Sequence, residues 1–327
     1  MTPRPRFELE IGHLKVRLGE RTLIMAALNV TPDSFSDGGL HLDPERALAH
    51  GLELVRQGAD WIDVGGESTR PGSRPISAEE ELRRVLPVIR SLRRKLRSTP
   101  ISIDTTKAEV AEKAAQAGAS ILNDVSGLRF DPRLADVARR YKTPLILMHL
   151  RGRPETMQTM PFVRDIWRSL NRGLACSLQR ALAAGLRRSQ LILDPGLGFG
   201  KSRFQNFEIL AHLRKLRRFG LPILVGTSRK SFVQAIAAGA GLHAAALHGS
   251  TRKGGPAAYW PMIENLEAQV GARHGVPLPA DAAAVVASIL GGAHIVRVHD
   301  VAGVLPAVRI ADAVLTASAG WNDDARP

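Results

Sequence analysis

At 327 residues, 44% hydrophobic and with a formal net charge of +14, the chain can bury a large core as one α/β domain or two, and composition excludes disorder as the default. One cysteine, Cys176, excludes an internal disulfide and any multi-cysteine metal site; in its helix-like stretch it is expected as a buried small hydrophobe, not a nucleophile. No apolar run reads as long enough to span a bilayer, and the start MTPRPRFELE lacks the apolar centre of a secretory signal, so the expectation is a cytoplasmic protein with no membrane partner.

The positive charge is spread evenly over Arg83-Arg84, Arg93-Arg94-Lys95, Arg139-Arg140, Arg187-Arg188 and Arg214 to Arg218, all at helix-like positions. A nucleic-acid footprint would gather the charge and interleave it with stacking aromatics, which are only 5% of residues, so no nucleic-acid partner is expected.

Residues 1–20 read as an N-terminal extension and 21–320 as the folded unit. The first buried strand, Leu23 to Leu28, breaks at Asn29 into LNVTPDSFSDGG, a glycine-hinged loop carrying the lone aromatic Phe35, which is the build of an active-site lid. Asp43-Pro44 then opens a helix that Gly58 closes. The strand Trp61 to Val64 ends in GGESTRPGS, and Ser77 with Glu80 predicts a capping box for a helix that Pro87 should kink. A third strand, Ile101 to Asp104, precedes a helix whose expected cap is Thr106 with Glu109. Glycine-led entries recur before WIDV, ILNDV and IVRV, the punctuation of repeated βα units. Further strands follow at Ile121, Pro144 to Met148, Leu191 to Leu193, Pro222 to Val225 and His294 to Val298. The segment from about 237 to 279 is too long for a plain crossover and reads as an insertion in the seventh βα unit.

Eight βα modules predict an α/β fold of the (β/α)8 TIM-barrel type, with function on the loops after the strands. The alternative is a doubly wound open sheet, weakened because no GxGxxG follows an early strand. Polar residues close all eight strands: Asn29, Asp63, Asp104, Asn123, His149, Asp194, the run Thr227 to Lys230, and Arg297 with His299. Any one of these could be a helix cap; eight converging on one rim are not explained by capping. There is no serine elbow, no Cys-His pair on adjacent loops and no metal-ligand spacing. Asp104, Asn123 and Asp194 suit the donor-rich edge of a flat heterocycle, whereas Thr69, Arg70, Lys230, Arg297 and His299 suit an anion. The turns DPGLGFGK and GGESTRPGS let backbone approach a ligand. The residues alone therefore point to a phosphorylated heterocycle on a barrel rim and leave the reaction open.

The ordered blocks LNVTPDSFSDGG, IDVGGESTRPGS, ISIDTTKAEVA, ILNDVSG, LMHLRG, LILDPGLGFGK, VGTSRKSF and IVRVHDV closely resemble the dihydropteroate synthase family of bacterial folate synthesis, from about Leu23 to Leu315. The resemblance implies a pterin-binding barrel that condenses 6-hydroxymethyl-7,8-dihydropterin diphosphate with p-aminobenzoate, releases pyrophosphate, needs Mg2+, works as a homodimer and is a sulfonamide target. It further implies that Asp104, Asn123, Met148, Asp194, Phe199, Lys230 and Arg297 meet the pterin. Asn29, Thr69, Arg70, Arg297 and His299 would hold the diphosphate, with Asn29 near the metal. Phe35, Thr69, Pro71 and Ser231 would receive p-aminobenzoate, and Lys230, Arg297, His299 and Asp104 would be the catalytic group. The chain departs from the family pattern in the length of 237–279 and at Pro279-Ala280-Asp281, where a Gly-Thr-like helix opening is expected. The rival readings are a barrel of the same superfamily that passes a methyl group from a methylated folate to a corrinoid protein, and a catalytically idle paralogue.

Overall fold

The structure, a computed structural model, describes residues 4–12, 14–31, 43–69, 72–157, 162–239, 241–242 and 279–320. Two short strands, β1 (Phe7–Ile11) and β2 (Leu14–Leu18), pair antiparallel as a hairpin. Eight parallel strands follow: β3 (Leu23–Asn29), β4 (Trp61–Gly65), β5 (Ile101–Asp104), β6 (Ile121–Asp124), β7 (Leu145–Met148), β8 (Leu191–Asp194), β9 (Leu224–Gly226) and β10 (Ile295–Val298). Their order, β8-β7-β6-β5-β4-β3-β10-β9, is that of a barrel, and a parallel bridge between Leu193 and Ile223 joins the two ends. The open-sheet alternative is thereby excluded, and the eight predicted strands all form.

Side chains alternate along each strand, and the alternation builds two cores. Ile24, Ala26, Leu28, Ile62, Val64, Ile101, Ile103, Leu145, Leu147, Val296 and Val298 face outward into the large core beneath the helices. The intervening residues face inward. At the N-terminal end these are Leu23, Met25, Trp61, Ile121, Ile146, Ile192, Leu224 and Ile295, which form a second core capped by Leu9, Ile11 and Leu18 of the hairpin. These two strands, part of the predicted extension, are thus the floor of the barrel. Arg4 ties this end down, donating to Thr22 Oγ1 at 2.6 Å, the Ala293 carbonyl at 2.8 Å and Asp312 at 2.7 Å.

The helices α1 (Pro44–Arg56), α2 (Ala78–Lys95), α3 (Ala108–Ala117), α4 (Leu134–Tyr141), α5 (Ile166–Ala183), α6 (Arg203–Ala211) and α7 (Ser231–Ala237) follow β3 to β9 in turn, α8 (Pro279–Leu290) precedes β10, and α9 (Val301–Gly320) follows it. Asp43 caps α1 as expected, accepting from Glu45 N and Arg46 N. Other local expectations are corrected. Ser77 accepts from Glu80 N, but Glu80 gives its carboxylate to Arg83 and Arg84 instead of completing a capping box. The first residue of α3 is held from outside, Ala108 N donating to Asp131 at 3.0 Å, with Lys107 and not Thr106 at the cap position. Cys176 lies on α5 but is exposed, because the buried stripe there is Leu170, Leu174, Ser177 and Leu178. The reading of no membrane-length apolar segment also needs amending: Val301–Ser318 is long and apolar enough by composition. That helix carries a core-facing stripe, Val301, Val304, Val308, Ala311 and Leu315, and packs on α8.

Candidate active site

At the C-terminal end the inward positions change from apolar to polar, so Asp63, Asp104, Asn123, Asp194 and Arg297 come together in the mouth of the barrel. Their register is set by pairing: Gly65 lies opposite Asp104, Asp104 opposite Asn123, Met148 opposite Asp194 and Arg297 opposite Gly226. The glycines leave room where a side chain would fill the mouth; a Cβ at Gly65 would stand 3.6 Å from the Asp104 Cβ and 3.8 Å from Asn29 Oδ1.

Arg297 is forked between two carboxylates, Nε donating to Asp63 Oδ2 at 2.6 Å and Nη2 to Asp104 Oδ2 at 3.1 Å. Asp63 Oδ2 also accepts from Asn123 Nδ2 at 3.0 Å, while Asp63 Oδ1 is buried without a protein partner. Burial works against the guanidinium charge, but Asp63 and Asp104 outweigh it and raise its pKa. Burial, then repulsion from Asp63, pushes Asp104 above the usual carboxylate range, with Arg297 opposing.

Beside this group Asp194 opens the turn to Lys201. Its Oδ1 accepts from Gly196 N at 2.6 Å, and burial lifts its pKa to about 6 against the pull of that N–H, Lys230, Lys201 and Arg297. Met148 and Phe199 pack with Val125, Leu150 and Met157 into an apolar wall, over which Lys230 Nζ sits 4.1 Å from the Phe199 ring centre. Burial, then Arg297, lowers Lys230 to about 8.

The loop after β9 is built around Asp281 of α8. That buried carboxylate accepts from Ser228 Oγ at 3.0 Å, Arg229 N at 3.1 Å and Gln234 Nε2 at 3.1 Å, and so holds Arg229 at a φ of +56°. Asp281 therefore fastens the turn that presents Lys230 and Ser231. Ser228 Oγ, its proton given to Asp281, lies 3.3 Å from His299 Nδ1. With that proton directed to Asp281, the Ser228 oxygen is left as an acceptor facing His299 Nδ1.

Asn29 ends β3, half-buried, and Thr69 lines a cleft with Glu67, Ser73, Lys107 and Arg153. The loop carrying Thr69 is pinned by Glu67, which accepts from Lys107 Nζ at 2.5 Å and from Ile76 N at 3.1 Å. Lys107 also meets the buried Glu81 at 2.6 Å. Phe35, Arg70, Pro71 and nearly all of the 237–279 insertion lie outside the described residues. His149 does not join the rim: it packs outward on α5, where a Cβ at Gly173 would stand 2.5 Å from its Cδ2.

Residues 25–258 match the family described as pterin binding enzyme. The chain is 40% identical to the dihydropteroate synthase of Escherichia coli K12 over 294 residues, which is 90% of this chain and 92% of that protein. The chain belongs to the pterin binding enzyme family. Its function is that of a dihydropteroate synthase, and it is a transferase. Among solved structures, it is similar to the Yersinia pestis dihydropteroate synthase in a sulfonamide drug complex, with a TM-score of 0.77 and 37% identity over 95% of this chain and 100% of that one. The Xanthomonas albilineans dihydropteroate synthase with 4-aminobenzoic acid gives 0.77 and 35%, covering 99% and 100%.

Five residues emerge that the sequence reading gave no role: Asp63, which joins Arg297 to Asn123; Lys201, under the Asp194 turn; Asp281; and the pair Glu67 and Lys107. Asp63 was visible as a strand-closing polar residue, and strand alternation would have placed it inward with Trp61 and Gly65. Asp281 stood out only as a departure, and its partner loop lies about fifty residues away.

Proposed function

We propose that the mouth binds 6-hydroxymethyl-7,8-dihydropterin diphosphate ring-down and condenses it with p-aminobenzoate to 7,8-dihydropteroate and pyrophosphate. The observation that carries this is the single inward layer of Asp104, Asn123, Asp194 and Arg297, which presents acceptors to a ring whose edge is rich in N–H groups. The Asp194 carboxylate takes the ring N–H and amino group as a pair. Asn123 and Asp104 take the far edge, and Lys230 donates to the ring carbonyl. Because carboxylates occupy two edges of the Arg297 guanidinium, its flat face is presented for stacking and Nη1 for the diphosphate. Met148 and Phe199 pack the ring, His299 meets the diphosphate, and Ser231 at the start of α7 takes the p-aminobenzoate carboxylate.

The amine nitrogen bonds to the methylene carbon as the carbon–oxygen bond to the diphosphate breaks, the bonding pair leaving with the diphosphate and the amine proton passing to solvent. The ring spreads the positive charge of that carbon, so no protein nucleophile or strong base is required. For Mg2+ the donor set fits a substrate-borne ion: among the described residues no group of three His, Cys, Asp or Glu could hold a metal, yet the Asn29 amide oxygen stands beside the mouth. Asn29 would hold it, and the ion when bound would offset the charge of the leaving diphosphate. The likeness to structures with a sulfonamide and with 4-aminobenzoic acid supports competition between the two for the Ser231 pocket. We further propose a cytoplasmic homodimer, which sedimentation of the purified chain would test.

A coupled pyrophosphate-release assay tests the reaction. Release is expected only with both substrates and Mg2+, to vanish in EDTA, and to be inhibited by sulfonamide in a way that added p-aminobenzoate relieves. Release of equal speed with the pterin substrate alone would overturn the condensation reading, and equal speed in EDTA the metal.

A further inference from the structure

Under the Asp194 turn lies a charge that the reaction does not use. Lys201 is 3% exposed, and its ammonium donates to three carbonyl oxygens: Gly196 at 2.7 Å, His149 at 3.0 Å and Phe199 at 3.1 Å. An ammonium has three N–H donors, so all of them are taken. Among the described residues no carboxylate hydrogen-bonds to it; Asp194 acts on it only through space. Burying a charge is costly without compensation, and burial does lower this lysine to about 7. An apolar residue would fill the space at no such cost, so the charge itself has a task.

The task is set by how tightly two turns meet. A Cβ at Gly196 would stand 2.2 Å from the His149 oxygen, and one at Gly200 2.6 Å from the Arg151 oxygen, so the loop after β8 lies backbone to backbone on the loop after β7. Carbonyl dipoles converge there and repel unless a cation sits among them. Two of the three carbonyls govern groups facing the mouth. Gly196, held through its carbonyl oxygen, gives the N–H on the other side of its Cα to Asp194 Oδ1 at 2.6 Å. Phe199, held the same way, carries the ring under Lys230.

We propose that Lys201 is a positioning residue for the pterin, a tethered cation that gathers the His149, Gly196 and Phe199 carbonyls and thereby aims the Asp194 carboxylate and the Phe199 ring. The inference rests on the reading that Asp194 receives the pterin. It assigns Lys201 no contact with either substrate.

The test uses the full chain with Lys201→Met, which keeps length without charge, and Lys201→Ala, which leaves a hole shaped for a small alkylammonium ion. Calorimetry on the methionine variant should show pterin diphosphate affinity reduced at least ~10-fold, with the KM for p-aminobenzoate within about 2-fold, as expected when a binding group is misplaced by a fraction of an ångström. Propylammonium should restore pterin affinity to the alanine variant, whereas propanol and tetramethylammonium should not. A lower melting temperature with unchanged pterin affinity, equal loss for both substrates, or equal rescue by propanol would overturn the proposal. If the alanine variant does not fold, the methionine variant decides alone. Asp194→Asn in parallel separates the two layers: if it binds pterin normally, the pterin reading fails; if it loses binding while Lys201→Met does not, only the role of Lys201 fails.

Discussion

The two ends of the barrel interior are made from the same strands and the same inward register, yet one is lined by apolar side chains and the other gathers carboxylates around an arginine. Leu23, Met25, Trp61, Ile121 and Ile192 close on the hairpin residues Leu9 and Ile11 at the floor. Two or more positions further along the same strands, Asp63, Asp104, Asn123 and Asp194 surround Arg297 at the mouth. The difference teaches that stability and chemistry have been divided along the strand axis: burial of apolar area at one end offsets the cost of desolvated charges at the other.

That division can be broken most severely at Asp63, which belongs to both the interior and the site. Asp63→Ala leaves Arg297 with one carboxylate and Asn123 with none, and the expected cost is about 3–5 kcal/mol of stability by denaturant titration, accompanied by loss of turnover. A variant that unfolds at the wild-type midpoint would show that Arg297 is held adequately by Asp104 alone.

Asp194→Asn should separate the two ends cleanly. It turns an acceptor into a donor facing a donor, so pterin diphosphate affinity should fall by about 3 kcal/mol, on the order of 100-fold. Because burial raises the Asp194 pKa, the carboxylate is a burden on the free fold, and the melting temperature of the amide variant should hold or rise. Calorimetric affinity within a few-fold of wild type would sink the pterin assignment.

The mirror experiment is Leu9→Ala on the floor. Loss of that buried side chain should cost about 2–3 kcal/mol of stability, near the low end for such a truncation because the hairpin can settle, while KM for both substrates stays put. A large KM change would mean that the hairpin is coupled to the mouth.

A gentler probe is pH. Asp194 at about 6 is ionised above that value and protonated below it, so pterin affinity should weaken as pH falls through 6, by about 1.4 kcal/mol per unit. This acid limb in kcat/KM should be absent from Asp194→Asn; if it persists, another group is responsible. The smallest effect is expected at the hairpin's outer ion pair, Arg187 with Glu10 at 3.1 Å: both side chains are at least half exposed, so Arg187→Ala should change stability by less than about 1 kcal/mol and activity not at all.

Much of this was written in the chain as local pattern. Short apolar runs ending in polar residues mark eight strands and their functional ends, because the period of two and the change at the strand terminus are both properties of adjacent residues. The family blocks named the mouth residues as well. What the tertiary structure alone decided is whatever depends on closure. The hairpin became a floor only because eight strand ends leave an apolar hole of its size. His149 turned outward to Gly173 while its neighbour Met148 faced in, one position of alternation that no strand-end count resolves. Asp281 and Lys201 owe their parts to backbone groups brought within hydrogen-bonding reach from distant turns, and convergence of carbonyls is a property of the folded path, not of the residues that flank it.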